Sequence, residues 1–132
     1  MKKLLFRLGV LSLVAFVGTG LYLRWNVAGL SPDDLLRRMM FRANHIYILL
    51  CALTLLALSF GVRPSAHAGR RRGQRLATLL CGLTALGLIA AFFLDPATGS
   101  LQRDLTRFSL IGFLSGAATH LAVLHFEGAG RS

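Results

Sequence analysis

The strongest constraint on this chain is the spacing of its apolar residues. Four stretches, at about residues 4–23, 46–62, 76–94 and 105–126, are nearly free of charge. A helix that crosses a bilayer core of about 30 Å needs roughly 17–25 such residues. Each stretch meets that length. Of the 132 residues, 55% are hydrophobic and 15% are charged. A soluble domain carries about 25% charged residues, so too little solvated surface remains for a water-soluble globule. The balance excludes a disordered chain, a disulfide scaffold and a two-domain soluble enzyme. The expected fold class is an all-α membrane protein: a four-transmembrane-helix bundle forming one integral membrane domain over residues 1–132.

The first stretch follows Lys2 and Lys3, as a secretory leader would. Arg7 interrupts it, and it ends on Gly18-Thr19-Gly20 with no Ala-x-Ala site, so it reads as the first span. Tyr22 and Trp25 at its end fit the aromatic belt at a membrane–water boundary. Arg7 and Arg107 lie near span ends, where a long basic side chain reaches the headgroups.

Fifteen Lys and Arg against five Asp and Glu leave a net charge of +10. On a soluble protein that charge would point to nucleic acid. Here the cations sit between and at the ends of apolar runs, which fits loops held against the anionic headgroups of a lipid bilayer. If the N-terminus is cytoplasmic, nine basic residues fall inside and six outside. All four aspartates then lie outside. The expectation is a multi-pass protein of a bacterial inner or plasma membrane with both termini cytoplasmic. The segment 63–75, with Pro64, Gly69 and Gly73, reads as a flexible basic turn.

Between the first two spans, Ser31-Pro32-Asp33-Asp34 has the form of a helix start: an N-cap serine, proline at the first position and acids in the first turn. At 100° per residue, Leu35, Leu36, Met39, Met40 and Ala43 share one side, and Arg37, Arg38 and Arg42 the other, with Phe41 the exception. A short amphipathic interfacial helix at about residues 32–44 is therefore expected between helices 1 and 2.

Polar residues inside a membrane need a reason. No Asp, Glu or Lys stands at the centre of a span, which argues against a proton-coupled transporter or cation channel. On the fourth span, Ser109, Gly112, Ser115, Gly116, Thr119 and His120 fall within one arc, opposite Leu110, Ile111, Leu114, Ala118 and Leu121. Gly112 and Gly116 make a GxxxG pair, which lets helix backbones approach closely. Thr78, Cys81, Gly82 and Ala85 form a matching small stripe on the third span. The residues expected to pack helices together are therefore Gly112, Gly116, Thr119, His120, Thr78, Gly82 and Ala85.

Ligand-binding candidates are His45 with Tyr47 and Arg42 at the outer boundary, and His120 with Cys81 near the inner one. Such side chains can hydrogen-bond a carbonyl or phosphate, or ligate haem. His45 and His120 lie at opposite depths and cannot share one haem. Met39, Met40, His45 and Cys51 are soft copper ligands in type, but the methionines and His45 point to different sides of their helix. Cys51 and Cys81 have no CxxC or zinc spacing and read as buried apolar residues. His67 and His125 are assigned no role.

The function expected from these residues is that of a non-catalytic subunit or scaffold, packing against a membrane-protein partner or against its own copies. The competing expectation is a redox or ligand-binding membrane protein that holds haem, quinone or lipid near His45 and Tyr47 or near His120. No nucleic-acid partner, metal or catalytic set is expected.

Overall fold

A computed structural model describes residues 1–31, 34–65, 67–98 and 102–129. It has four helices: α1 (Lys2–Tyr22), α2 (Leu35–Gly61), α3 (Ala68–Ala97) and α4 (Asp104–Ala129). All four are long and apolar enough to cross a membrane. No strand occurs among the described residues.

The helices end where sequence chemistry stops them. α1 passes into a π-helical turn, Leu23–Val27, closed by the Ala28 N–H on the Leu23 carbonyl at 3.1 Å. After α2, Val62 is extended, and Arg63 precedes Pro64, a position that disfavours helix. α3 carries Pro96 in its last turn, and the Thr98 hydroxyl donates to the Asp95 carbonyl at 2.8 Å.

Successive helices run antiparallel. Leu5, at the start of α1, shares one core with Leu58 and Val62 from the end of α2. That core continues through Cys51, Leu55, Cys81, Ala85, Leu88, Phe113 and Ala117. At the other end Val27, Phe41, Ile48 and Phe92 form a second cluster. There Phe92 meets Phe41 edge-on at 5.1 Å and Tyr22 at 5.7 Å. α1 lies along α2, and α4 along α3. α2 and α3 touch across the middle, while the backbones of α1 and α4 stay apart among the described residues. α1 is thus an edge helix. The exposed apolar residues of α4 include Ile111, Leu114 and Leu121, from the face expected to meet lipid.

Two local expectations change. Residues 35–44 are not a helix apart from the second span: α2 runs unbroken from Leu35 to Gly61. No glycine or proline interrupts it before Gly61, and the Asn44 side chain bonds across to α3 instead of competing for its own backbone. The buried face there is Met40, Phe41, Asn44 and Ile48, and Leu35, Leu36 and Met39 are exposed. Phe41, the exception on an isolated amphipathic helix, is a core residue of the continuous one. Pro32 and Asp33 of the expected helix start lie outside the described residues.

The second change is at residues 68–75, which form the first two turns of α3 and not a flexible turn. Arginine and glutamine favour helix. Buried Gln74 then fixes the connection: its Nε2 donates to the Arg63 carbonyl and its Oε1 accepts the Ser65 N–H, both at 3.0 Å.

Candidate functional site

Several polar side chains of this bundle are buried and bonded across helices. The largest group lies at the loop end, where α2, α3 and α4 meet. The Asn44 Nδ2 donates to the Ala91 carbonyl at 2.8 Å. A carbonyl only accepts, so this bond fixes the amide, and Oδ1 faces α4. There it meets the Thr106 hydroxyl at 3.0 Å and the Arg103 guanidinium. Thr106 also binds Asp95 twice, through its N–H at 3.2 Å and through its hydroxyl. That hydroxyl has one proton for two oxygens, and Arg103 supplies Asn44 with the other. The Arg103 guanidinium stands 5.9 Å over the Tyr47 ring, within cation–π range.

Asp95 is 5% exposed. A carboxylate near a helix C-terminus opposes the helix dipole. Here the same carboxylate caps the first turn of α4, where free N–H groups and a favourable dipole are found. The wrong end of one helix thus becomes the right end of the next.

The second polar contact is His120 to Thr78, between α4 and α3. Both are fully buried, with Nε2 and Oγ1 3.1 Å apart. The Thr78 hydroxyl already donates to the Gln74 carbonyl at 2.8 Å. The imidazole must therefore donate from Nε2, and its Nδ1 is buried without a partner. The third contact joins α1 to α2. The His45 Nδ1 lies 2.9 Å from the Thr19 hydroxyl, which is itself within 3.0 Å of the Ala15 and Phe16 carbonyls. The ring stacks on Phe16 at 4.1 Å.

The structure separates the candidates that the sequence grouped. His45 faces α1, whereas Tyr47 lies against Arg103, which immediately precedes α4. Arg42 is exposed and lines a pocket with Arg24 and Arg38. Cys81 does not bond His120: its thiol points to the Phe113 carbonyl at 3.8 Å. Both cysteines are free and buried. Among the described residues, no three of His, Cys, Asp and Glu come together as a metal site would require.

The small-residue faces are filled from within. A Cβ on Gly116 would lie 2.6 Å from the Cys81 Sγ and 3.0 Å from the Ala77 carbonyl oxygen. On Gly112 it would meet Thr84 at 2.7 Å. Gly82 faces Leu8 of α1, and Thr78, Cys81 and Ala85 are buried. Thr119 is exposed, as is Ser115, and its hydroxyl returns to the Ser115 carbonyl. The buried stripe of α4 is Thr106, Ser109, Phe113, Gly116, Ala117 and His120. Phe113, the bulkiest of these, sits in the core, so the stripe is turned away from Thr119.

α1 presents the contrasting surface. Gly9 approaches Leu56, and Gly20 approaches His45, but a Cβ on Gly18 would meet nothing within 4 Å. Gly18 forms the floor of an outward groove of about 430 Å³, lined otherwise by Leu13, Val14, Val17 and Leu21. No family model, curated protein or solved structure matches this chain.

Proposed function

We propose that the protein is a non-catalytic membrane subunit that works by packing α1 against another transmembrane helix, from a second copy or from a larger complex. The observation that carries this reading is Gly18. The glycines at 9, 20, 82, 87, 112 and 116 each admit a side chain of a neighbouring helix. Gly18 admits none. Gly29, Gly61, Gly69 and Gly73 also face open space, but they lie in the end turns of helices or outside them, whereas Gly18 stands inside the apolar run of α1 with an outward apolar groove around it. Without a hydrophobic drive between helices in lipid, association rests on close packing, and small residues on an exposed face permit it. The internal polar bonds support the same reading, because they hold the bundle as a rigid body behind that face.

In this proposal the protein sits in a bacterial inner or plasma membrane with both termini cytoplasmic, following the nine-to-six excess of basic residues. Leu35, Leu36 and Met39, exposed on the first turns of α2, dip into the boundary as an amphipathic surface.

The test is native mass spectrometry of the chain released gently from its own membranes. Masses at multiples of 14.3 kDa, or with added polypeptides, are expected. Gly18→Leu should return the spectrum to a single chain. A lone wild-type chain, or an assembly that survives Gly18→Leu, rejects the reading.

A further inference from the structure

At the end of the bundle that holds Asn44 and Asp95, a pocket of about 350 Å³ opens between the π-helical turn that follows α1 and the start of α2. Its walls are Leu23, Arg24, Val27 and Ala28 on one side, and Arg38 and Arg42 on the other. We infer that this pocket binds the phosphate group of an anionic lipid headgroup. The inference is independent of the association proposed above and uses a different surface.

Three guanidiniums line the pocket, and no acid does among the described residues. Asp34, one turn before Arg38, lies outside the lining. Arg38 and Arg42 are one turn apart on the same helix, where like charges repel. An anion between them turns that repulsion into two attractions. The Arg38 Nε is buried and has no hydrogen-bond partner. Such a donor is costly to leave unmatched, and no acceptor among the described residues meets it. The planar guanidinium fork matches the oxygens of a phosphate.

The other wall indicates the source of the phosphate. The π-helical turn places Leu23, Val27 and Ala28 beside Arg24, so half the pocket is apolar. Trp25 is 71% exposed next to Arg24, as expected of a residue at headgroup level. An apolar wall with cations at that depth suits a molecule having both an acyl-bearing and a phosphate end. The opposite end of the bundle has a basic pocket too, lined by Lys2, Lys3, Phe6, Arg7, Ser59 and Phe60. Its cations are all exposed, and none has a buried unmatched donor.

The experiment uses the full chain in detergent with equal amounts of phosphatidylglycerol and phosphatidylcholine, read by native mass spectrometry. Wild type is expected to retain one phosphatidylglycerol in preference to phosphatidylcholine. Arg38→Gln should lower that preference about tenfold, the effect of one charge-assisted hydrogen bond. Arg42→Lys keeps the charge but loses the fork, and should also lower it. Arg37→Gln removes the same charge from an exposed neighbour that does not line the pocket, and should leave the preference within about twofold. Circular dichroism confirms that each variant is folded. Equal retention of the two lipids by wild type overturns the inference. So does an equal loss in Arg37→Gln, or an unchanged preference in both Arg38→Gln and Arg42→Lys. A final arm adds inorganic phosphate alone. Full displacement of phosphatidylglycerol at comparable concentration would mean that the pocket serves a soluble anion, and would overturn the lipid assignment.

Discussion

In the α3–α4 hairpin, Gly87, Gly112 and Gly116 each stand where a facing side chain occupies the space of a Cβ: Ser109, Thr84 and Cys81 respectively. In α1, Gly18 has the same lack of side chain and faces open space. The hairpin adds polar bonds at both levels, His120 to Thr78 and Asp95 to Thr106. α1 is held to α2 by the seam of Leu5, Gly9, Thr19 and Gly20, and its backbone does not approach that of α4 among the described residues. Within the apolar runs, the same residue type therefore closes the α3–α4 interface and, at Gly18, leaves a surface open. A glycine in a membrane helix gains its meaning from what faces it, and the GxxxG spacing alone does not say which.

The largest effect should come from filling the closed half. Gly116→Leu forces a side chain into Cys81 and against the backbone oxygen of Ala77, which cannot rotate away. Overpacking of a tight core costs roughly 1–3 kcal/mol and sometimes more, and this site belongs at the upper end. The measurement is thermal unfolding of the monomer in detergent, where a substantially lowered midpoint is expected. An unchanged midpoint would show that α3 and α4 are not in this register.

Next is His120→Ala. It empties a fully buried site and removes the bond to Thr78, so a loss of about 2 kcal/mol is expected from the cavity and the bond together. Thr78→Val separates the two terms, because it keeps the volume and leaves the imidazole without a partner. Its loss should be near 1 kcal/mol, in the range of single hydrogen bonds measured inside membranes. A larger loss in Thr78→Val than in His120→Ala would mean that the unpaired ring, more than its volume, governs the site.

Thr106→Val should come third, at about 1 kcal/mol. It removes the hydroxyl between Asp95 and Asn44 but keeps the N–H bond to Asp95. The loss should exceed the sum of the two single losses when Arg103 is also replaced by Gln, because the buried Asn44 Oδ1 then keeps neither donor. Additive losses in the double variant would show that the two bonds are independent.

The number of helices is legible from the apolar runs, each of a length that a membrane crossing would require. The burial of Thr78, Cys81, Gly82 and Ala85 is legible too, since a small-residue face has few other uses in a span. The rotation of α4 is not: a period of 3.6 defines an arc, and whether Phe113 or Thr119 lies inside it depends on the shape of α3. The Asn44–Asp95–Thr106 group joins positions up to 62 residues apart, and no single-sequence pattern connects them. One signal was present nonetheless. An aspartate closing an apolar helix opposes the helix dipole, and such a residue needs a partner from elsewhere in the chain. The continuity of α2 and the early start of α3 were hidden for a simpler reason. Arginine ends an apolar run without ending a helix.

The smallest effect on stability, and the sharpest on the comparison, belongs to Gly18→Leu. Nothing lies within 4 Å of the new Cβ, so the monomer has no clash to relieve. Replacing glycine inside a helix removes a conformational penalty of roughly 1 kcal/mol, so the midpoint in detergent should stay level or rise slightly. Assembly should nevertheless be lost, because the leucine fills the groove between Val14 and Leu21 that a partner helix would enter. Gly116→Leu should do the reverse and damage the monomer before any assembly is considered. The pair thus separates folding from association by the same substitution at two sites. If Gly18→Leu lowers the monomer midpoint as Gly116→Leu does, α1 is packed on that face by its own chain, and the distinction between a closed and an open half fails.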